Sequence, residues 1–81
     1  MKYVEVAYMN HKTSDYVFTR PYTYATSLPL AVMDKVLVPV KGKYGKEVTK
    51  RAIVINDNKP MSEIPEEIVP RLKEIVEYDK E

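Results

Sequence analysis

A mainly β chain, folded as a small barrel that ends in a short α-helix, is what three features of this sequence predict. Apolar residues alternate with period 2 through 2–9 and 35–40, the repeat of strands with one buried face, and 48–55 is a further long strand-forming run. Turn-forming residues separate these runs at short, regular intervals. Beyond Pro60 the repeat becomes helical. The 81 residues suffice for one domain. A chain this size buries only about 60–65% of its unfolded surface, which argues against a deep internal substrate pocket.

The first strand places Val4, Val6 and Tyr8 on one face and Tyr3, Glu5, Ala7 and Met9 on the other. Asn10–Asp15 is polar and reads as a hairpin loop. Tyr16–Thr19 forms a second strand, which should end or lie on an edge at Pro21 because proline donates no ladder hydrogen bond. Tyr22-Thr23-Tyr24 resumes the alternation. Residues 26–34 form a connection whose Leu28, Leu30 and Val32 lie against the core. Lys35–Val40 is the strongest strand, with Val36, Val38 and Val40 on one face and Pro39 near an edge or bulge. Lys41–Lys46 holds both glycines and reads as a hairpin tip. The last long strand runs from Val48 to Ile55, where Ile53, Val54 and Ile55 in succession imply burial on both faces. Four or five such strands at this length fit an SH3-like or OB-like barrel over residues 1–59.

In the tail, Ile64, Ile68, Leu72, Ile75 and Val76 recur at helical spacings. Pro70 allows one turn near Pro65–Val69 and a short helix from Pro70 to Tyr78. Glu66, Glu67, Glu74 and Glu77 make its polar side acidic, so residues 60–81 read as an acidic helical extension packed on the barrel.

Composition excludes several chemistries. The absence of cysteine removes disulfides, thiolate metal sites and a cysteine nucleophile. One histidine, His11, cannot make a two-histidine metal site, and two glycines cannot make a Walker loop or a dinucleotide fingerprint. The carboxylate pairs Glu66/Glu67 and Glu74/Glu77 fall on a surface helix, where burial would not tune them for acid–base work. No enzyme, cofactor, metal or small-molecule substrate is expected. Met1-Lys2-Tyr3-Val4-Glu5 puts a carboxylate where the apolar part of a secretory leader would begin. No apolar run approaches the roughly 18–20 residues that span a bilayer, so a cytoplasmic protein with no membrane partner is expected.

The net charge of +1 hides an asymmetry. Residues 1–59 hold ten Lys/Arg against five Asp/Glu, and residues 60–81 hold three against seven. Lys41, Lys43, Lys46, Lys50 and Arg51 fall within eleven residues, opposed only by Glu47. Such a cluster can follow a phosphate backbone, and exposed tyrosines can stack bases. The leading functional expectation is therefore non-enzymatic nucleic-acid binding. The five cations would hold phosphates, and Tyr44, with Tyr22 or Tyr24, would stack a base or sugar; Tyr3 is a further outward tyrosine. The plainer alternative is that the lysines protect a hairpin edge and the tyrosines fill the core or rim. From a different class, an exposed aromatic patch or an edge strand could dock a protein, as in an adaptor or inhibitor. Dimerisation is a third expectation for a barrel with a thin core. Nucleic-acid binding requires tyrosines and lysines on one face, whereas an adaptor would separate them.

One segment carries a resemblance. Tyr22-x-Tyr24, then Leu28, Leu30, Val32 and Asp34, then Val36-x-Val38-Pro39 is similar to the small N-terminal β-barrel of primosomal helicase proteins. It also resembles short phage and prophage proteins with the same core, and the likeness covers about residues 16–55. The resemblance implies a small barrel, binding to DNA 3′ ends and, for a phage protein, residence in the host cytoplasm. In this pattern the aspartate bonds backbone amides at the turn entering the next strand. The chain departs at Met33, where the pattern has glycine. A positive φ there would cost methionine roughly 1 kcal/mol or more.

Overall fold

The computed structural model describes residues 1–80. Their core is two antiparallel hairpins, joined through the first strand of one and the second strand of the other into one sheet that two short C-terminal strands nearly close into a barrel. Strands β1 (Lys2–Asn10), β2 (Asp15–Thr26), β3 (Lys35–Lys41), β4 (Glu47–Asn56), β5 (Glu74–Ile75) and β6 (Glu77–Tyr78) form one sheet in the order β5-β2-β1-β4-β3-β6. β5 pairs in parallel with β2, and β6 pairs antiparallel with β3. These two strands are consecutive in the chain, so residues 74–78 form a strap across the seam between β2 and β3.

Cross-strand register builds the core as rows. Residues directly opposite one another share a face. Val4 faces Tyr24, Val6 lies between Tyr22 and Val54, and Val36 faces Ala52. Val4, Val6, Tyr24, Leu30, Val36, Val38, Ala52, Val54 and Ile75 form the buried cluster, with Tyr8, Leu28, Val40 and Tyr78 packed against it. The predicted inward faces of β1 and β3 are therefore those observed. Ala7 and Ile53 face each other across the strands and are buried outside that cluster, in keeping with two-sided burial along β4.

The strands bend where the sequence breaks the ladder. Between the pairs Tyr8–Val17 and Val6–Tyr22, β1 advances two residues and β2 five. Phe18–Pro21 thus bulges away from β1, and no β5 partner reaches it on the other side. Pro21 therefore removes no ladder bond, and β2 continues through it as one strand. Pro39 lies beyond the last β6 pair at Leu37, on the unpaired side of β3, so its missing N–H is harmless.

Met33 takes φ = 79° in the turn that enters β3. The Asp34 amide donates to the Ala31 carbonyl at 3.0 Å, and the Asp34 carboxylate accepts the Ala31 amide at 2.9 Å. The Met33 amide donates to Val54 at 2.8 Å, which staples this turn to β4. The strained φ is the conformation that glycine adopts freely. Of the three apolar residues expected against the core, Leu30 is buried and Leu28 half-buried, while Val32 is exposed.

The expected C-terminal helix is not formed. No α-helix occurs among the described residues; Met61–Glu63 and Val69–Arg71 are single 3₁₀ turns, and the tail ends in the two short strands. The reason is proline at every fifth position, Pro60, Pro65 and Pro70. Each removes a donor and crowds the preceding turn, so no uninterrupted segment is long enough to offset helix nucleation. The apolar spacing serves another purpose. Ile64 and Ile75 are buried, whereas Ile68 and Val76 are exposed, so they do not form one stripe.

Candidate functional site

The inward rows of β1, β3 and β4 do not end when the core does. Past Val6 comes Tyr8, past Val38 comes Val40, and on β4 the row runs from Ala52 to Lys50, which faces Val38, and then Val48, which faces Val40. At this end neither β5 nor β6 covers the sheet. The same alternation that buries valines therefore delivers Tyr8, Lys50, Val40 and Val48 to the barrel mouth.

Tyr8 and Tyr22 stack there with ring centroids 4.1 Å apart and planes 8° from parallel. The Lys50 ammonium lies over the Tyr8 ring, 5.0 Å from its centroid. Tyr22 covers one face of Tyr8 and Lys50 takes the other. Tyr22 itself is 38% exposed. Tyr24 supports the stack from below. Its hydroxyl donates to the Pro39 carbonyl at 3.1 Å, so the Tyr8 hydroxyl donates to the Tyr24 oxygen. Burial pushes both the Tyr24 and the Tyr8 phenols above their ordinary pKa, because the charged form would lose its hydration.

Three adjoining concavities surround this stack. A groove of about 420 Å³ lies between Tyr8, Tyr22, Lys50, Val17, Arg20 and the Met9–Lys12 end of the first hairpin. A slot of about 290 Å³ follows the open part of the seam, between Tyr22–Tyr24 and Pro39–Lys41, with Arg71–Lys73 at one side. A third hollow of about 380 Å³ joins His11 and Lys50 to Val40, Val48 and Arg51. The lining of all three contains Lys12, Arg20, Lys41, Lys50, Arg51, Arg71 and Lys73, and no carboxylate. Two carboxylates reach the rim: Glu47 sits 3.1 Å from Lys73, and Asp79 sits 3.5 Å from Arg51. Lys12, Arg20, Lys41 and Arg71 make no ion pair among the described residues.

The eight residues singled out from the sequence are dispersed by this geometry. Lys50, Tyr22 and Lys41 line the tyrosine face. Tyr24 belongs to the core at 5% exposure, so its ring has no free face and its hydroxyl is already bonded. Arg51 points into the third hollow beside Asp79. Lys43, Tyr44 and Lys46 stand on the β3–β4 hairpin tip and line none of the three hollows. Tyr44 is 97% exposed with φ = 62°, a left-handed conformation at the extremity of the hairpin. Tyr8, Lys12, Arg20 and Arg71 were not singled out. For Tyr8 the signal was present, since it ends the inward row of Val4 and Val6. Lys50 also had one, as a cation on an inward row.

No metal-binding group of three or more His, Cys, Asp or Glu residues occurs among the described residues. No helix among them is long and apolar enough to cross a membrane. No protein-family model, curated protein or solved structure matches this chain.

Proposed function

We propose that this chain is a non-enzymatic module that binds single-stranded nucleic acid on the Tyr8–Tyr22–Lys50 face. The observation that supports this most is the coincidence of an exposed stacked tyrosine with a lining that holds seven Lys/Arg and no carboxylate. A polyanion with planar bases matches both features at once. Cations hold the phosphates, and a base extends the tyrosine stack on the outer side of Tyr22. Duplex bases are stacked on each other and offer Tyr22 no face. Lys43, Tyr44 and Lys46 stand apart on the hairpin tip and take a secondary part.

Fluorescence anisotropy with single-stranded DNA, RNA and duplex probes tests this. With about four phosphates held, affinity for a single strand should fall about 50-fold between 50 and 200 mM salt. Lys50→Ala with Arg20→Ala should weaken binding more than the tip pair Lys43→Glu with Lys46→Glu. Absence of binding at about 50 μM protein in low salt would remove the reading.

One observation favours a protein partner as a second reading. β2 has no strand on its outer side from Asp15 to Tyr24, and Phe18 on that stretch is 58% exposed. An extended peptide could pair there. The bulge at Phe18–Pro21 and the missing N–H of Pro21 oppose a long pairing. Phe18→Asp separates the two readings, because it should abolish peptide docking and leave oligonucleotide binding intact.

A further inference from the structure

We infer that the C-terminal strap is part of the nucleic-acid track and not only the closure of the barrel. The inference rests on the binding reading above and extends it to a path. A strand stacked on Tyr22 runs on into the slot between β2 and β3, where Lys41 and Arg71 hold its next phosphate.

Three observations support this path. The slot and the main groove share Tyr8 and Tyr22, so the two are continuous. The slot walls combine flat or apolar surface, Tyr22, Pro39 and Leu72, with cations from two separate segments, Lys41 at the end of β3 and Arg71 just before β5. Both cations are exposed, and neither has an ion pair among the described residues. In a segment where three Lys/Arg stand against seven Asp/Glu, Arg71 and Lys73 are the two that line the slot.

The strap is also the part of the sheet with the fewest ladder bonds. β5 and β6 are two residues each. Backbone bonds hold it at both ends, from the Ala25 amide to the Lys73 carbonyl and from the Asp79 amide to the Lys35 carbonyl, both 3.0 Å. Such short pairings open more readily than the long central strands. A ligand that touches Arg71 binds only the docked strap, and mass action then holds the strap closed. Binding and barrel closure become linked.

The test uses the full chain, Arg71→Ala and Lys50→Ala with an oligothymidylate of about eight nucleotides, titrated over a range of salt. Arg71 is exposed, so its loss should not disturb folding. The expected result is a slope of log affinity against log salt shallower by about 0.7 in Arg71→Ala, one phosphate contact. Hydrogen exchange at the Ala25 and Asp79 amides should slow when the wild type is saturated. If Lys50→Ala weakens binding while Arg71→Ala keeps the wild-type slope and those two amides do not respond, the strap inference is overturned and the binding reading stands. If the wild type does not bind the oligothymidylate, both fall.

Discussion

The two ends of this barrel are built from the same inward-facing rows and have opposite characters. At the end near Thr26, the strap inserts Ile75 into the core at 0% exposure, beside the buried Thr26. The Thr26 hydroxyl donates to the Ile75 carbonyl at 2.8 Å and accepts the Leu28 amide at 3.1 Å. Lys2 turns its ammonium onto the Leu30 carbonyl. At the other end the strap is absent, and the rows finish in Tyr8, Lys50 and Val40, half-buried and open to solvent. Cations follow this division in part, since Arg51 and Lys73 at the open end are paired with Asp79 and Glu47. Lys2 and Lys59 are engaged by protein oxygens, whereas Lys12, Arg20, Lys41 and Arg71 around the tyrosines have no ion-pair partner among the described residues. One sheet thus has a closed, packed end and an open, cation-rich end because a five-residue strap covers only part of its seam.

That division can be broken from either side. Ile75→Ala removes a fully buried side chain from the closed end and should cost about 2–5 kcal/mol in denaturant unfolding. Tyr22→Ala acts at the open end. It should weaken oligonucleotide binding by about 1–3 kcal/mol, or roughly 5- to 150-fold, while moving the unfolding midpoint far less than Ile75→Ala. An equal loss of stability in both variants would erase the distinction between the ends.

Tyr24→Phe probes the boundary between them. It strips the hydroxyl that joins Tyr8 to the Pro39 carbonyl and should cost about 1–2 kcal/mol. It should also change the response to alkali. The folded Tyr24 and Tyr8 phenols have raised pKa values, so the unfolded chain ionises first as pH rises. Their contribution is complete below about pH 9 and declines above about pH 10. The phenylalanine variant should lose stability less steeply in that range than the wild type. The smallest effect is expected at Met33, exposed in the turn that enters β3. Met33→Gly relieves a φ of 79° and should raise stability by about 1 kcal/mol, read as a higher unfolding midpoint with unchanged oligonucleotide binding.

Period 2 alternation identified the inward faces of β1 and β3, because side-chain direction in a strand depends only on parity. Proline's missing donor placed Pro39 near an edge or bulge, and the resemblance pattern implied a turn at Met33 where glycine is usual. The tail differs from the expected helix because apolar spacing alone does not distinguish a helix from turns that bury a residue every few positions. The proline interval at 60, 65 and 70 was the overriding signal. The candidate site was half legible. Closeness in sequence grouped Lys43 and Lys46 with Lys50, but a hairpin carries its tip away from the mouth. Arg20 and Arg71 meet the same surface only through the bulge in β2 and the path of the strap, neither of which leaves a local pattern.

The most direct test of the account is a backbone amide chemical-shift map of the full chain titrated with a short oligothymidylate. Shifts are expected to concentrate at Tyr8, Lys12, Arg20, Tyr22, Lys50 and Arg71, with Leu28, Leu30 and Thr26 at the closed end little changed. Shifts centred on the closed end, or none at saturating oligonucleotide, would contradict it.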